Sequence, residues 1–94
     1  MSYKLKFIPS ALKEWKKLGP TIQSQLKKKL KERLNEPNIP ADRLHGFKHH
    51  YKIKLRASGY RLVYEVNQRE ISVIVITVGK RNRSDVYIQA RKRT

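Results

Sequence analysis

The residues best placed to do chemistry are cations. Lys52, Lys54 and Arg61 fall within one stretch, YKIKLRASGYRLVYEV (Tyr51 to Val66), and Lys80, Arg81 and Arg83 follow in Lys80-Arg81-Asn82-Arg83-Ser84. Preorganised Lys and Arg stabilise negative charge where it develops, and a phosphodiester gains such charge in its transition state. In RNA the neighbouring 2′-hydroxyl can attack the phosphate in line, so no metal is required. The few carboxylates are scattered, so no acidic cage for a divalent cation is expected, nor any other cofactor. With no cysteine, disulfides, zinc–thiolate sites and thiol catalysis are excluded.

A general base is less obvious. Histidine as a residue type is the usual base near neutral pH, which makes His45, His49 and His50 candidates, but all three precede the cationic stretch in a segment without periodicity. A lysine inside the cluster is the other candidate, because neighbouring positive charge and burial both lower its pKa. The residues alone leave this choice open.

The elements that must position these groups follow from alternation. Tyr51, Ile53 and Leu55 alternate with Lys52, Lys54 and Arg56; Ala57-Ser58-Gly59 has turn chemistry; Tyr60, Leu62, Tyr64 and Val66 continue on the other side. This is a β-hairpin. Facing Leu55 with Tyr60 sets Lys54 opposite Arg61 and Lys52 diagonally nearby. Like charges directly opposite on a sheet are unfavourable, which suits a site that holds an anion. Facing Val66 with Ile71 across a turn at Asn67-Gln68-Arg69-Glu70 then pairs Tyr60 with Thr77 and Arg61 with Ile76. Lys54, Arg61 and Arg81 share one corner in that register, with Tyr87 able to return over it.

Upstream, Tyr3 to Ile8 reads as a strand with Tyr3, Leu5 and Phe7 on one face. Pro9 ends it, and Ser10 is placed to cap a helix to about Leu18. Leu12, Trp15 and Leu18 form a short apolar stripe, which makes Trp15 a core residue. Gly19-Pro20 opens a second helix with Pro near its first position, ending at Asn35-Glu36-Pro37. Its apolar face is Ile22, Leu26, Leu30 and Leu34, and Lys27, Lys28, Lys29, Lys31 and Arg33 cover the rest. That basic face reads either as solvated surface or as a flank that contacts phosphates. Residues 38–50 are irregular. Ile71 to Val78 is apolar on both faces and β-branched, hence a central strand. Ser84 or Asn82 can cap a last short helix with Tyr87, Ile88 and Ala90, and Arg91-Lys92-Arg93-Thr94 reads as a frayed basic tail. The order β-α-α-β-β-β-α gives an α+β fold, with a mainly antiparallel four-stranded sheet, a helical pair on one face and a short C-terminal helix. At 94 residues the expectation is one domain, 1–94.

The net charge of +16, from 23 Lys and Arg against 7 Asp and Glu, points to nucleic acid or the ribosome first and an acidic protein second. No apolar run approaches the roughly 20 residues of a membrane span. The N-terminus lacks a signal peptide's apolar region, so the expected compartment is the cytoplasm, with no membrane partner.

ALKEWKKLG (Ala11 to Gly19), QLKKKL (Gln25 to Leu30), the hairpin, and VGKRNRSDVY (Val78 to Tyr87) together resemble the RelE-type toxins of the RelE/ParE superfamily of bacterial type II toxin–antitoxin systems, across essentially the whole chain. The resemblance implies a fold like the small microbial ribonucleases. It also implies a ribosome-dependent endoribonuclease that cuts the mRNA codon in the A site and arrests translation and growth. Carried over by motif, Lys52, Lys54, Arg61, Arg81 and Tyr87 form the catalytic group. Lys54 would activate the 2′-hydroxyl, Arg81 would assist departure of the 5′-oxygen, Lys52 and Arg61 would stabilise the phosphorane, and Tyr87 would stack on the codon. Lys13, Lys16, Lys17, Lys27, Lys28, Lys29, Lys31, Arg33, Lys80 and Arg83 would contact RNA or the ribosome. His45 would do so where relatives can carry an arginine. An acidic RelB-like antitoxin is the implied partner, with operator DNA bound only through that complex. Two rivals share the composition. A ParE-like toxin would poison DNA gyrase and generally lack the cationic set, and a basic nucleic-acid-binding module would not catalyse.

Overall fold

The computed structural model describes residues 2–80 and 85–93. The chain runs β1 (Lys4–Phe7), α1 (Pro9–Lys16), α2 (Pro20–Asn35), a 3₁₀ turn (Pro40–Asp42), β2 (His50–Leu55), β3 (Tyr60–Asn67), β4 (Ser72–Lys80) and α3 (Asp85–Lys92). The sheet order is β1-β4-β3-β2, with β1 parallel to β4 and the other two pairs antiparallel. This is the expected α+β class. The sheet is mixed because two helices intervene between β1 and the meander, letting β1 return alongside β4 in the same direction.

α1 and α2 cover one face. Leu26 and Leu30 are fully buried with Ile53, Leu55, Leu62 and Tyr64, while Ile22, Leu34 and Trp15 pack at the margin. Burying a leucine of this kind stabilises by about 1.5–3 kcal/mol. Trp15 is structural as expected, its ring 5.3 Å from that of Phe7. On the opposite face α3 lays Val86 and Ala90 over Val63 and Ile76. β4 is therefore covered on both sides, which explains its unbroken apolar run.

Several boundaries differ from the sequence expectation. Ser10 does not cap α1. Ile8 holds the N-cap position with no side-chain hydrogen bond, and Pro9 occupies the first turn, where its missing N–H has no partner to lose. α2 does begin at Pro20 after Gly19, as the Gly-Pro pair implies. Leu5 is 37% exposed, so it does not join Tyr3 and Phe7 against the core.

The β3–β4 register is also corrected. Val66 faces Val73, Arg61 faces Gly79 and Tyr60 faces Lys80, rather than Ile71, Ile76 and Thr77. Two causes add. The turn starts one residue later, because the Asn67 carboxamide oxygen accepts from the backbone N–H of Arg69 and Glu70 at 3.0 and 3.1 Å. Then a β-bulge shifts the pairing, so that Val63 meets Thr77 while Tyr64 meets Val75. One extra residue in β4 switches which parity faces which helix. Val73 and Val75 point to α1 and α2, and beyond the bulge Val78 does so too.

The C-terminal residues do not form a free tail through Arg93. Its guanidinium pairs with Glu14 through two bonds, Nη1–Oε1 at 2.9 Å and Nη2–Oε2 at 3.1 Å, and donates to the Ile76 carbonyl at 3.0 Å. Glu14 also accepts from the Val78 N–H and the Thr77 hydroxyl, both at 3.2 Å. β1 pairs with β4 only as far as Val75. The ion pair thus satisfies the stretch of β4 edge that β1 leaves open.

Candidate active site

The β2–β3 hairpin is built as its alternation requires. Leu55 pairs with Tyr60 and Lys54 with Arg61, and the turn closes through Gly59, whose φ of +80° favours glycine and whose N–H reaches the Leu55 carbonyl at 2.8 Å. Lys52, opposite Val63, lies two residues back on the same face as Lys54. That face carries α3. The cations are therefore set beside a helix on one side and solvent on the other. Lys54 is exposed, and its ammonium is held below the usual lysine range, first by the charge of Lys52, then by slight desolvation and by Arg61, with Arg56 contributing least. Crowding of like charge, more than burial, makes its neutral amine accessible.

Arg61 reaches across to α3. Its Nη1 donates to the Tyr87 hydroxyl at 3.2 Å, and its guanidinium carbon lies 5.5 Å from the ring centroid. Gly79, opposite Arg61, presents no side chain, and a Cβ there would sit 3.5 Å from Val86 Cγ2. That distance is ordinary van der Waals contact, so the approach of β4 to α3 beside the arginine does not depend on the glycine. A hollow of ≈ 290 Å³ lined by Lys54, Leu55, Arg56, Gly59 and Arg61 opens at this corner. Lys80 is exposed at the same end of the sheet, opposite Tyr60. Arg81 and Arg83, like the expected caps Asn82 and Ser84, lie outside the described residues.

The histidines separate. His50 is buried at the far end of β2, opposite Glu65 and 4.8 Å from the Phe47 ring, four residues or roughly 13 Å of strand from Lys54. Burial lowers its pKa, with Glu65 opposing that shift and His49 adding to it. His49 is exposed beside it. Neither joins the cationic corner. His45 is exposed on a groove that Tyr87 shares.

Of the flanking cations, Lys13, Lys16, Lys17, Lys27, Lys28, Lys29 and Lys31 are all exposed on α1 and α2 or just after α1. Lys29 and Gln25 line a hollow of ≈ 310 Å³ with Lys54, Arg56 and Ser58, so α2 reaches the hairpin tip. Arg33 differs. Its guanidinium pairs with Asp42 at 2.7 Å and donates to the Tyr64 hydroxyl at 3.2 Å, holding the irregular segment against the sheet. The Tyr64 hydroxyl in turn donates to the Pro37 carbonyl at 2.7 Å. Burial raises the Tyr64 pKa, with Arg33 pulling the other way.

Sequence reasoning missed the groove between the irregular segment and α3. Leu44, Phe47, Tyr87 and Ile88 line it with Arg91 and Lys92, around ≈ 510 Å³. Arg91 lies over the Phe47 ring at 4.6 Å and donates to the Gly46 carbonyl at 3.4 Å. The available signal was the i, i+4 spacing of Tyr87 and Arg91 on one helix face.

Comparison with known proteins matches this arrangement to a family. The family model for the ParE toxin of the type II toxin–antitoxin system parDE covers residues 5–85. The chain is 58% identical over 93 residues to the mRNA interferase toxin RelE of Escherichia coli K12, covering 99% of this chain and 98% of that one. The chain belongs to the RelE toxin family, within the RelE/ParE superfamily. Among solved RelE structures, an E. coli RelE mutant in the free state superposes with a TM-score of 0.91 at 56% identity, covering 99% of this chain and 98% of that one. RelE in the intact E. coli RelBE toxin–antitoxin complex superposes at 0.84 with 56% identity, over 87% of this chain and all of that one. Within this family fold the hairpin and α3 of the present chain bring Lys52, Lys54, Arg61 and Tyr87 to one corner.

Proposed function

We propose that this chain is the toxin of a type II toxin–antitoxin system, an mRNA interferase that cuts mRNA in the ribosomal A site. The observation that carries the reading is the Lys54–Arg61 cross-strand pair, two like charges adjacent on an open corner with Tyr87 bonded to the second. Such a pair costs stability in the free protein and favours an anion between its members. The curated relative's name supplies the substrate class.

In the reaction, the neutral Lys54 amine takes the 2′-hydroxyl proton as that oxygen attacks the adjacent phosphorus. Lys52 and Arg61 stabilise the charge that gathers on the non-bridging oxygens. The bond to the 5′-oxygen breaks with Arg81 stabilising that oxygen as it takes up a proton from solvent, leaving a 2′,3′-cyclic phosphate and a 5′-hydroxyl. Lys54 returns the 2′-hydroxyl proton to solvent. Tyr87 stacks on a base of the codon. Arg81 enters through the family motif. The exposed lysines of α1 and α2, with Lys80, Arg83 and His45, orient the toxin on rRNA and mRNA through phosphate contacts.

The partner is an acidic RelB-like antitoxin that neutralises the basic surface, in keeping with the RelBE complex of the E. coli relative. Operator DNA is bound through that complex. Among the described residues no helix is long and apolar enough to cross a membrane. Action as a single domain in the cytoplasm is part of the same proposal, since the substrate it names is ribosome-bound mRNA.

The match to the ParE family model favours one second reading, inhibition of DNA gyrase. Mapping transcript 5′ ends after brief expression, with translation running or blocked, separates the two. New 5′-hydroxyl ends within codons, lost when translation is blocked, are expected. Intact transcripts with trapped gyrase–DNA complexes would replace this reading by the second.

A further inference from the structure

We propose that the groove between residues 44–47 and α3 is a second nucleobase site, which takes an unpaired base of the mRNA next to the nucleotide held by Tyr87. The inference deepens the ribonuclease reading above and rests on it for the identity of the strand.

Three features of the groove specify an RNA base. The first is a flat stacking surface. Arg91 lies over the Phe47 ring at 4.6 Å, and its hydrogen bond to the Gly46 carbonyl fixes the guanidinium there. The backbone is shaped to allow this contact. Gly46 has a φ of +81°, and a Cβ on it would come within 2.6 Å of Arg91 Nη2. Aromatic rings and guanidinium planes are the surfaces on which unstacked RNA bases rest.

The second feature is charge. Arg91, Lys92 and His45 border the apolar lining of Leu44, Phe47 and Ile88, and among the described residues no carboxylate lines the groove. Ile88 is 50% exposed, the most open of the large apolar side chains among the described residues. An apolar floor with a cationic rim matches a nucleotide, whose base is planar and whose phosphate is anionic. It does not suit a cationic peptide, and an aliphatic ligand would leave the rim charges without a partner.

The third feature is continuity with the reacting centre. Tyr87 lines the groove and also accepts the hydrogen bond from Arg61 at 3.2 Å. A strand whose phosphate sits at Lys54 and Arg61 therefore passes Tyr87 and reaches the groove without a gap. The volume, ≈ 510 Å³, is ample for one base.

The test uses ribosomes programmed with mRNAs that carry one abasic nucleotide, placed in turn at each position of the A-site codon and its two neighbours. The intact toxin should lose roughly tenfold in single-turnover cleavage at one position beyond that assigned to Tyr87, in line with one lost stacking contact. Phe47→Leu, which keeps apolar bulk, and Arg91→Gln should each cleave intact mRNA more slowly by a similar factor. Both should be indifferent to the abasic substitution at that position. Undiminished cleavage by both variants overturns the site. Slower cleavage with full abasic sensitivity overturns the assignment to mRNA and moves the base contact to rRNA. Should the intact toxin not cleave at all, the ribonuclease reading fails on its own. Quenching of a 2-aminopurine-containing oligoribonucleotide by the intact chain and not by Phe47→Leu would then retain the base site, and equal quenching by both would remove it.

Discussion

Arg61 and Tyr87 meet across elements far apart in the chain. The guanidinium of β3 donates to the phenolic oxygen of α3 at 3.2 Å and lies 5.5 Å from its ring centroid. The contact ties the docking of α3 to the hairpin, so the position of the Tyr87 ring depends on the arginine that we propose faces the phosphate.

Tyr87→Phe keeps the ring and removes the hydroxyl, so it isolates that tie. Losing a part-exposed hydrogen bond to a cation should cost about 1 kcal/mol, roughly a fivefold drop in cleavage. In an Arg61→Ala background the same change should cost nothing further, because the partner is already gone. Additive losses in single-turnover cleavage would show that the two residues act separately.

Lys54 should impose a pH dependence that Lys52 sets. Lys52 is the foremost cause of the lowered Lys54 pKa, so cleavage should rise with pH and level off below the usual lysine range. Lys52→Met should move that rise to higher pH. Stability changes in the same direction with pH, although the charge crowding that aids activity costs stability. A lysine whose pKa is lower folded than unfolded destabilises the fold while protonated, and the cost fades as pH climbs from the lowered value to the ordinary lysine range. Lys52→Met should therefore slow cleavage at neutral pH while leaving urea stability unchanged or slightly raised. An unmoved pH profile would take Lys54 out of the proton-transfer role.

Glu14 and Arg93 make the opposite trade. Glu14→Gln weakens a two-bond ion pair and disturbs the partners of Thr77 and Val78 on the open edge of β4. A loss of about 1–3 kcal/mol is expected, read as a lower urea midpoint with unchanged slope. Arg93→Ala should cost as much and combine with Glu14→Gln less than additively. Wild-type stability in both variants would mean that solvent satisfies this edge equally well.

The hairpin was legible because every signal in it agrees: alternation, turn residues around Gly59, and charges that share one face. Its register followed directly. β4 was legible as a strand but not in register, since Ile74, Val75 and Ile76 are apolar whichever way they face, and a bulge among them leaves no mark in the pattern. Arg93 looked like tail because its partner, Glu14, is remote in sequence and pairs only after β1 stops short. The groove at Phe47 lies in a segment with no periodicity, where contacts form only once α3 folds back. That Lys52, Lys54, Arg61 and Tyr87 share one corner could be read from local order and the family resemblance. The contact that joins Arg61 to Tyr87 required the fold.

The most direct test of the central claim is single-turnover cleavage of A-site mRNA on programmed ribosomes, comparing the intact toxin with Lys54→Ala and Arg61→Ala, alongside ribosome-binding and far-UV circular dichroism measurements. Both variants should fold and bind the ribosome while cleaving roughly a hundredfold or more slowly, the scale of a lost base or charge stabiliser. Cleavage at the intact toxin's rate by either variant would contradict the assignment of this corner as the catalytic centre.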